Sequence, residues 1–236
     1  MTSRPRRALV VVAHPDDEVL AFGASARALE RAGWEIFSVV LCGNAEARAG
    51  RPALEELRTD MGRAHELIGV TPHAVGEFPN LRFNTLPLVE LVEFVESSIS
   101  DLDPDLVVTH HPGDLNDDHL HTCRACVTAA RLPQRRGRSP GELTVMHAEV
   151  LSSTEWAAGD AYPLFRADTF IEVTEEDVEA KIGALDAYRG VMRPLPHPRS
   201  PEAIRAQATL RGVEAGYPFA EAFSTSIRRI PLAEGS

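Results

Sequence analysis

Four ionisable side chains, His14, Asp16, Asp17 and Glu18, crowd into the stretch "AHPDDE" directly after an apolar run. A second polar cluster, "THHPGDLNDDHLHT" over residues 109 to 122, holds His110, His111, Asp114, Asp117, Asp118, His119 and His121. Histidine nitrogens and aspartate oxygens together form a ligand set for a divalent cation. Zn2+ suits it first, with Fe2+, Mn2+ or Co2+ as alternatives. Two or three protein ligands leave positions open, so such a cation would polarise a carbonyl and lower the pKa of a water. A carboxylate beside the ion but not bound to it would then serve as general base. Taken singly, these residues have plainer uses: an Asp pair caps a helix and complements its dipole, and a lone histidine is commonly a packed structural one. Chemistry requires the two clusters to meet.

The elements between them bring that about. "RALVVVA" (7 to 13) is a near-continuous apolar strand, the pattern of a sheet covered on both faces. A helix over 18 to 32 stops at Gly33, and "EIFSVVLC" (35 to 42) is a second strand. Leu54, Leu57, Met61 and Ile68 mark a helix ended by Gly69, before a short strand around 72 to 78. Leu88, Leu91, Val92, Val95 and Ile99 mark another helix. "DLVVTH" (105 to 110) is a fourth strand, 118 to 131 a helix, and "LTVMHAEVLS" (143 to 152) a fifth strand. This alternation predicts an α/β fold, a Rossmann-like parallel sheet with helices on both faces. The C-terminal third reads as irregular, with helices near 174 to 189 and 201 to 215 around the Pro-rich "MRPLPHPRS". No repeat or composition break divides the chain, which predicts one domain over 1 to 236. With strand order 3-2-1-4-5, strands one and four adjoin where the order reverses, the place where such sheets bind ligands. Each polar cluster follows one of those two strands.

Charge and composition remove other classes. The 24 Lys and Arg against 35 Asp and Glu give a net charge of −11, which disfavours a nucleic-acid partner. The one basic cluster, "RLPQRRGRS" (131 to 139), reads as a solvated loop. The apolar stretch "ALVVVA" is far too short for a membrane span, and its abrupt polar end argues against a signal peptide. Three cysteines suggest no disulfide framework, so a reducing cytoplasm is the expected compartment. Cys123 and Cys126 form a Cys-x-x-Cys, but with His119 and Ala130 they share helical spacing and read as a packed face. The oligomeric state stays open, a homo-oligomer included.

"AHPDDE" followed by "NDDH" (116 to 119) resembles the signature of the PIG-L (LmbE-like) family of metal-dependent N-deacetylases. "FPNLRFNT", "HHPGDLN", "SSTEW", "PHPRS" and "AEAF" are similar to one bacterial branch, so the resemblance covers nearly the whole chain. It implies hydrolysis of an N-acetyl group on an amino sugar, a GlcNAc-type sugar or glycoconjugate, while the Ala- and Arg-rich composition and the lack of a secretion signal suit a bacterial biosynthetic pathway. It also implies His14, Asp17 and His119 as metal ligands, with Asp16 as the base that activates the water on the metal. Several members carry a His at the place of Asn116, where it assists the oxyanion. Here Asn116 would act as a neutral donor, with His110, His111 or His197 as cationic alternatives. Asp118 fits the role of orienting a histidine. Arg58, on a helix where relatives often place a substrate-binding Arg, joins Asn80, Arg82 and His197 as substrate-side candidates. Trp156 could stack on a sugar ring or serve as a buried anchor, and Glu18 reads as a helix cap.

The expected function is therefore a cytoplasmic zinc-dependent deacetylase acting on a small N-acetyl sugar. Two rivals remain: an amidase acting on a non-sugar amide such as a cysteine conjugate, and a non-catalytic sugar- or nucleotide-binding module. Against the second, no Gly-x-Gly-x-x-Gly follows strand one.

Overall fold

Arg7–Val12 runs with scarcely a polar break because both faces of the strand it forms, β1, are covered. The computed structural model describes residues 4–44, 53–131, 134, 142–157 and 163–230. Around β1 lie β2 (Glu35–Val40), β3 (Thr71–Val75), β4 (Leu106–His110) and β5 (Leu143–Ala148), then β6 (Thr169–Glu172) and β7 (Ala220–Arg229). They form one sheet of order β3-β2-β1-β4-β5-β7-β6. The first five are mutually parallel, whereas β7 runs antiparallel to both β5 and β6.

Alternate residues of β1 feed two separate cores. Ala8, Val10 and Val12 pack with α1 (Asp17–Arg31), α2 (Leu54–Ile68), α5 (Glu175–Ala187) and α6 (Pro201–Ala215) through Phe22, Leu57, Leu185 and Ile204. Leu9, Val11 and Ala13 pack with α3 (Leu88–Leu102) and α4 (Asp117–Ala130) through Leu91, Val95, Ala125 and Ala129. The period of two along a strand is what divides the apolar set between the faces. Gly69 ends α2 with φ 67, the left-handed conformation that a side chain disfavours.

The expected order of the five parallel strands is present, and β1 and β4 are neighbours. The C-terminal third is more regular than its pattern indicates. Besides its two helices it contributes β6 and β7, which make the sheet mixed. The fifth strand stops at Ala148, short of residue 152, because the chain turns over residues 151–153. The basic cluster 131–139 lies almost wholly outside the described residues. Among the described residues, no helix is long and apolar enough to cross a membrane.

Cys42, Cys123 and Cys126 are all buried and unbridged. Burial pushes the Cys123 thiol up to about 12 and the Cys126 thiol up as well, so neither is a thiolate at neutral pH. The pair packs the interior face of α4, as its spacing predicts.

Candidate metal centre

Beyond β1 the chain makes one tight turn before α1 begins. Asp17 N–H bonds the His14 carbonyl at 3.2 Å, and Asp16 sits between them with φ 94. That left-handed conformation costs a residue with a Cβ about 1–3 kcal/mol and is tolerated best by Asp and Asn. The surroundings hold it in place. Asp16 N–H donates to Glu18 Oε2 at 3.1 Å, while the other Glu18 oxygen takes the Tyr188 hydroxyl and lies 3.3 Å from His65 Nε2. Glu18 is thus a brace for the turn, on a buried network, as well as a residue of the first helical turn.

The second cluster is arranged in a similar way. Beyond β4, Asn116 caps α4, its Oδ1 accepting the Asp118 N–H at 3.0 Å, and this places Asp118 and His119 in the first turn. The ends of β1 and β4 are joined directly, since Ala13 N–H donates to His110 Nε2 at 2.9 Å.

Each of two histidines is held by a carboxylate on one ring nitrogen and presents the other to a shared point. His14 Nε2 lies 2.9 Å from Asp118 Oδ2, which leaves Nδ1 facing Asp17 Oδ2 at 3.2 Å. His119 Nδ1 lies 3.2 Å from Asp114 Oδ1, which leaves Nε2 facing the same Asp17 oxygen at 3.1 Å. The holding carboxylates are themselves tied down. Asp118 accepts the backbone N–H groups of Leu81 and Phe83, at 2.6 and 3.0 Å. Asp114 accepts the hydroxyls of Ser153 and Thr154. His14, Asp17 and His119 are all buried, and one donor atom from each lies within 4.8 Å of the others.

Two imidazoles, each oriented by a carboxylate behind it, together with the Asp17 carboxylate are a donor set that fits a divalent transition metal. A second convergence, of His110, Asp114 and His119, shares His119 with the first.

The electrostatics follow from this crowding. Burial opposes charge on His119, yet Asp17 and Asp114 on its two sides push its pKa up to about 10. Burial likewise opposes charge on Asp17 and Asp114. The facing histidines hold Asp17 well below the usual carboxylate range and Asp114 at about 2. His110, fully buried and stacked on the His119 ring at 3.8 Å, is lowered to about 3 by burial and by its charged neighbour. Loading the metal-free chain with a divalent cation at pH 7 must therefore displace the His119 proton. Calorimetry in buffers of different ionisation heat is expected to show release of about one proton, with affinity rising as pH rises toward 10.

A cleft opens over this centre, lined by His14, Asp17, Asn44, Asn80, Leu81, Leu115, Asn116, Asp117, His119, Ser152, Ser153 and Arg199. Of the substrate-side candidates it includes Asn80, and it includes Asn116. It does not include Arg58, Arg82 or His197. Arg58 sits exposed on α2 beside Glu55 at 3.4 Å. Arg82 is exposed just before the turn at Phe83–Thr85. His197 spends Nδ1 on the Arg199 N–H at 3.0 Å. The cleft lining does not include His110 or His111 either: both are buried, burial lowers them to about 3 and about 4, and His110 stacks on the His119 ring. Trp156 is 64% exposed and anchors nothing in the core.

The polar cleft residues not singled out from the sequence are Asn44, Ser152, Ser153 and Arg199. Two segments carried a usable signal: "SSTEW", which supplies Ser152 and Ser153, and "PHPRS", whose arginine rather than its histidine reaches the cleft.

Comparison with known proteins gives a family model, PIG-L, described as GlcNAc-PI de-N-acetylase, which matches residues 9–130. No curated protein sequence matches the chain. Among solved structures, the 4-carboxy-2-hydroxymuconate hydratase GalB of Pseudomonas putida is 19% identical, with 98% of this chain and 100% of that one covered at TM-score 0.75. The N,N'-diacetylchitobiose deacetylase of Pyrococcus horikoshii is 18% identical over 94% of this chain and 84% of its own, at TM-score 0.69. Teicoplanin deacetylase, solved in a zinc-inhibited form, is 19% identical over 95% and 99%, at TM-score 0.71. At these identities the likeness establishes the fold. One neighbour is a hydratase, so the chemistry has to be argued from the site itself.

Proposed function

We infer from membership of the PIG-L family, to which this chain belongs, that it hydrolyses the N-acetyl group of an amino sugar. The observation that carries this reading is the pair of carboxylate-held histidines, His14 on Asp118 and His119 on Asp114, aimed with Asp17 at one point under the cleft.

His14 Nδ1, Asp17 and His119 Nε2 would hold the cation. When bound, a divalent ion supplies Lewis acidity to the amide carbonyl and acidity to a water. The remaining work belongs to the chain. Asp16 takes a proton from the attacking water as its oxygen bonds the carbonyl carbon. The same carboxyl returns the proton to nitrogen as the C–N bond breaks, leaving acetate and a free amine. Asn116 has its Oδ1 committed to the Asp118 N–H, which leaves its NH2 group to donate to the developing oxyanion. Asn80, on the cleft wall, is the remaining candidate for sugar recognition.

Zinc is the first choice on ligand chemistry. Because one neighbour has a zinc-inhibited form, Mn2+, Co2+ and Fe2+ belong in the same trial. Three buried, unbridged cysteines support a cytoplasmic setting, and a single sheet containing both β1 and β7 supports one domain over 1 to 236.

The test pairs metal content by elemental mass spectrometry with acetate release. Wild type, His14→Ala and His119→Ala would be given free and conjugated N-acetyl amino sugars, with cysteine-conjugate amides alongside. About one cation per chain, lost in both variants, with acetate released only from sugars, is the expected result. A folded wild type unable to take up any of the four metals would overturn the hydrolase reading in favour of a binding module.

A further inference from the structure

We propose that Arg199 is the working cation of this site, fixing Asp16 for proton transfer and balancing the charge that develops on the amide oxygen. The proposal rests on the deacetylase reading above. Arg199 arrives from the loop between α5 and α6, and its side chain is only 19% exposed. Its Nη1 donates to Asp16 Oδ2 at 2.9 Å, and its Nε donates to Ser152 Oγ at 2.8 Å. The guanidinium is therefore gripped through two of its nitrogens, which fixes the plane of the fork.

The backbone beneath it is equally committed. Arg199 N–H donates to His197 Nδ1 at 3.0 Å, its carbonyl accepts from Arg193 N–H at 3.3 Å, and Ser200 next to it caps α6. Ser152, which holds the other end, carries φ 76, a left-handed conformation of the kind that accumulates where geometry is imposed for function. Among the described residues lining the cleft, Arg199 is the one Lys or Arg. The two lining histidines, His14 and His119, are each held by a carboxylate, Asp118 and Asp114.

The chemistry makes use of such a charge. In the ground state Arg199 faces the Asp16 carboxylate. As the water O–H bond breaks, the proton goes to Asp16. The new O–C bond forms and the carbonyl π pair moves to the amide oxygen. Negative charge has then moved from Asp16 to that oxygen, and a fixed guanidinium beside both compensates it throughout, with no reorganisation. Arg199 is on this account a positioning residue for Asp16 that also stabilises the oxyanion.

The experiment compares metal-loaded wild type, R199K and R199A for kcat, KM, metal content and Tm, and tests rescue of R199A by methylguanidinium. Binding of acetate, the product anion, is measured by calorimetry in the same proteins. R199A is expected to lose about 100-fold in kcat, regain part of it with methylguanidinium, and bind acetate about tenfold more weakly. R199K, which keeps the charge but not the planar fork, should lose about tenfold in kcat with KM within about threefold. All should keep the metal. If R199A fails to fold, R199K decides. Activities within about threefold of wild type, a loss confined to KM, or equal loss in both variants without rescue would each overturn the proposal. A wild type that releases acetate from no N-acetyl sugar would sink the deacetylase reading instead. Unchanged acetate affinity in R199A would then sink the role of the charge separately.

Discussion

Asp16→Asn is expected to lower kcat for acetate release by about 10³-fold while metal content and Tm stay close to wild type. The substitution is nearly isosteric, and Asn tolerates the φ of 94 that position 16 demands. Its amide oxygen can still accept from Arg199 Nη1, now 2.9 Å from Asp16 Oδ2, and its N–H can still reach Glu18. What disappears is a group able to take a proton from water at neutral pH. The side chain is fully buried and is not one of the three atoms aimed at the cation point, so the ligand set is untouched. Parallel kinetics, elemental analysis and thermal melts check this. A kcat within about tenfold of wild type would assign the base to another residue.

The second large effect is on stability and lies away from the cleft. Lys181 on α5 is 4% exposed, and its Nζ donates to the Leu20 carbonyl of α1 at 2.8 Å and to Glu221 Oε1 of β7 at 2.6 Å. Glu221 also accepts the Ser25 N–H at 2.8 Å. One ammonium thus clasps α1, α5 and β7 together, its stem running over Gly23, where a Cβ would meet Lys181 Cγ at 3.1 Å. Lys181→Met keeps the stem and removes the charge, leaving the Glu221 carboxylate buried with backbone donors alone. Unfolding in denaturant is expected to show a loss of about 3–5 kcal/mol with little change in m. Adding Glu221→Leu to the same chain should recover most of it, because an apolar pair no longer carries an uncompensated charge. If the single variant falls by less than about 1 kcal/mol, the clasp contributes little.

Both effects bear on how far the sequence could be read. The apolar run 7 to 13 and "DLVVTH" announced β1 and β4 because strands covered on both faces have no polar alternation to blur them. The topological switch between them then foretold that "AHPDDE" and "NDDH" would meet, and His14, Asp17 and His119 do converge. The substrate side was opaque for a different reason. Arg199 follows a Pro-rich loop with no periodic pattern, and its route to Asp16 depends on the turn that Arg193, His197 and Ser200 make together. His197 has the more reactive ring in that loop, yet the ring is consumed in shaping the turn. Arg58 and Arg82 are visible as charges, but spacing alone does not show that they point to solvent. β6, only Thr169–Glu172, is too short to display a period, and β7 finds its partners across long stretches of chain.

That late pairing has a consequence during synthesis. β7 is the last of the seven strands to be made, yet it lies between β5 and β6 and bonds to both. Until residues 220–229 clear the ribosome, β5 (Leu143–Ala148) presents an open edge with most of its residues destined for the interior, and β6 has no neighbour at all. A nascent chain of about two-thirds length already carries both polar clusters, but it also carries a sticky border that invites another chain to pair with it. Yield of soluble protein should therefore depend on how quickly the final segment docks, and a holding chaperone is best placed to act over that interval.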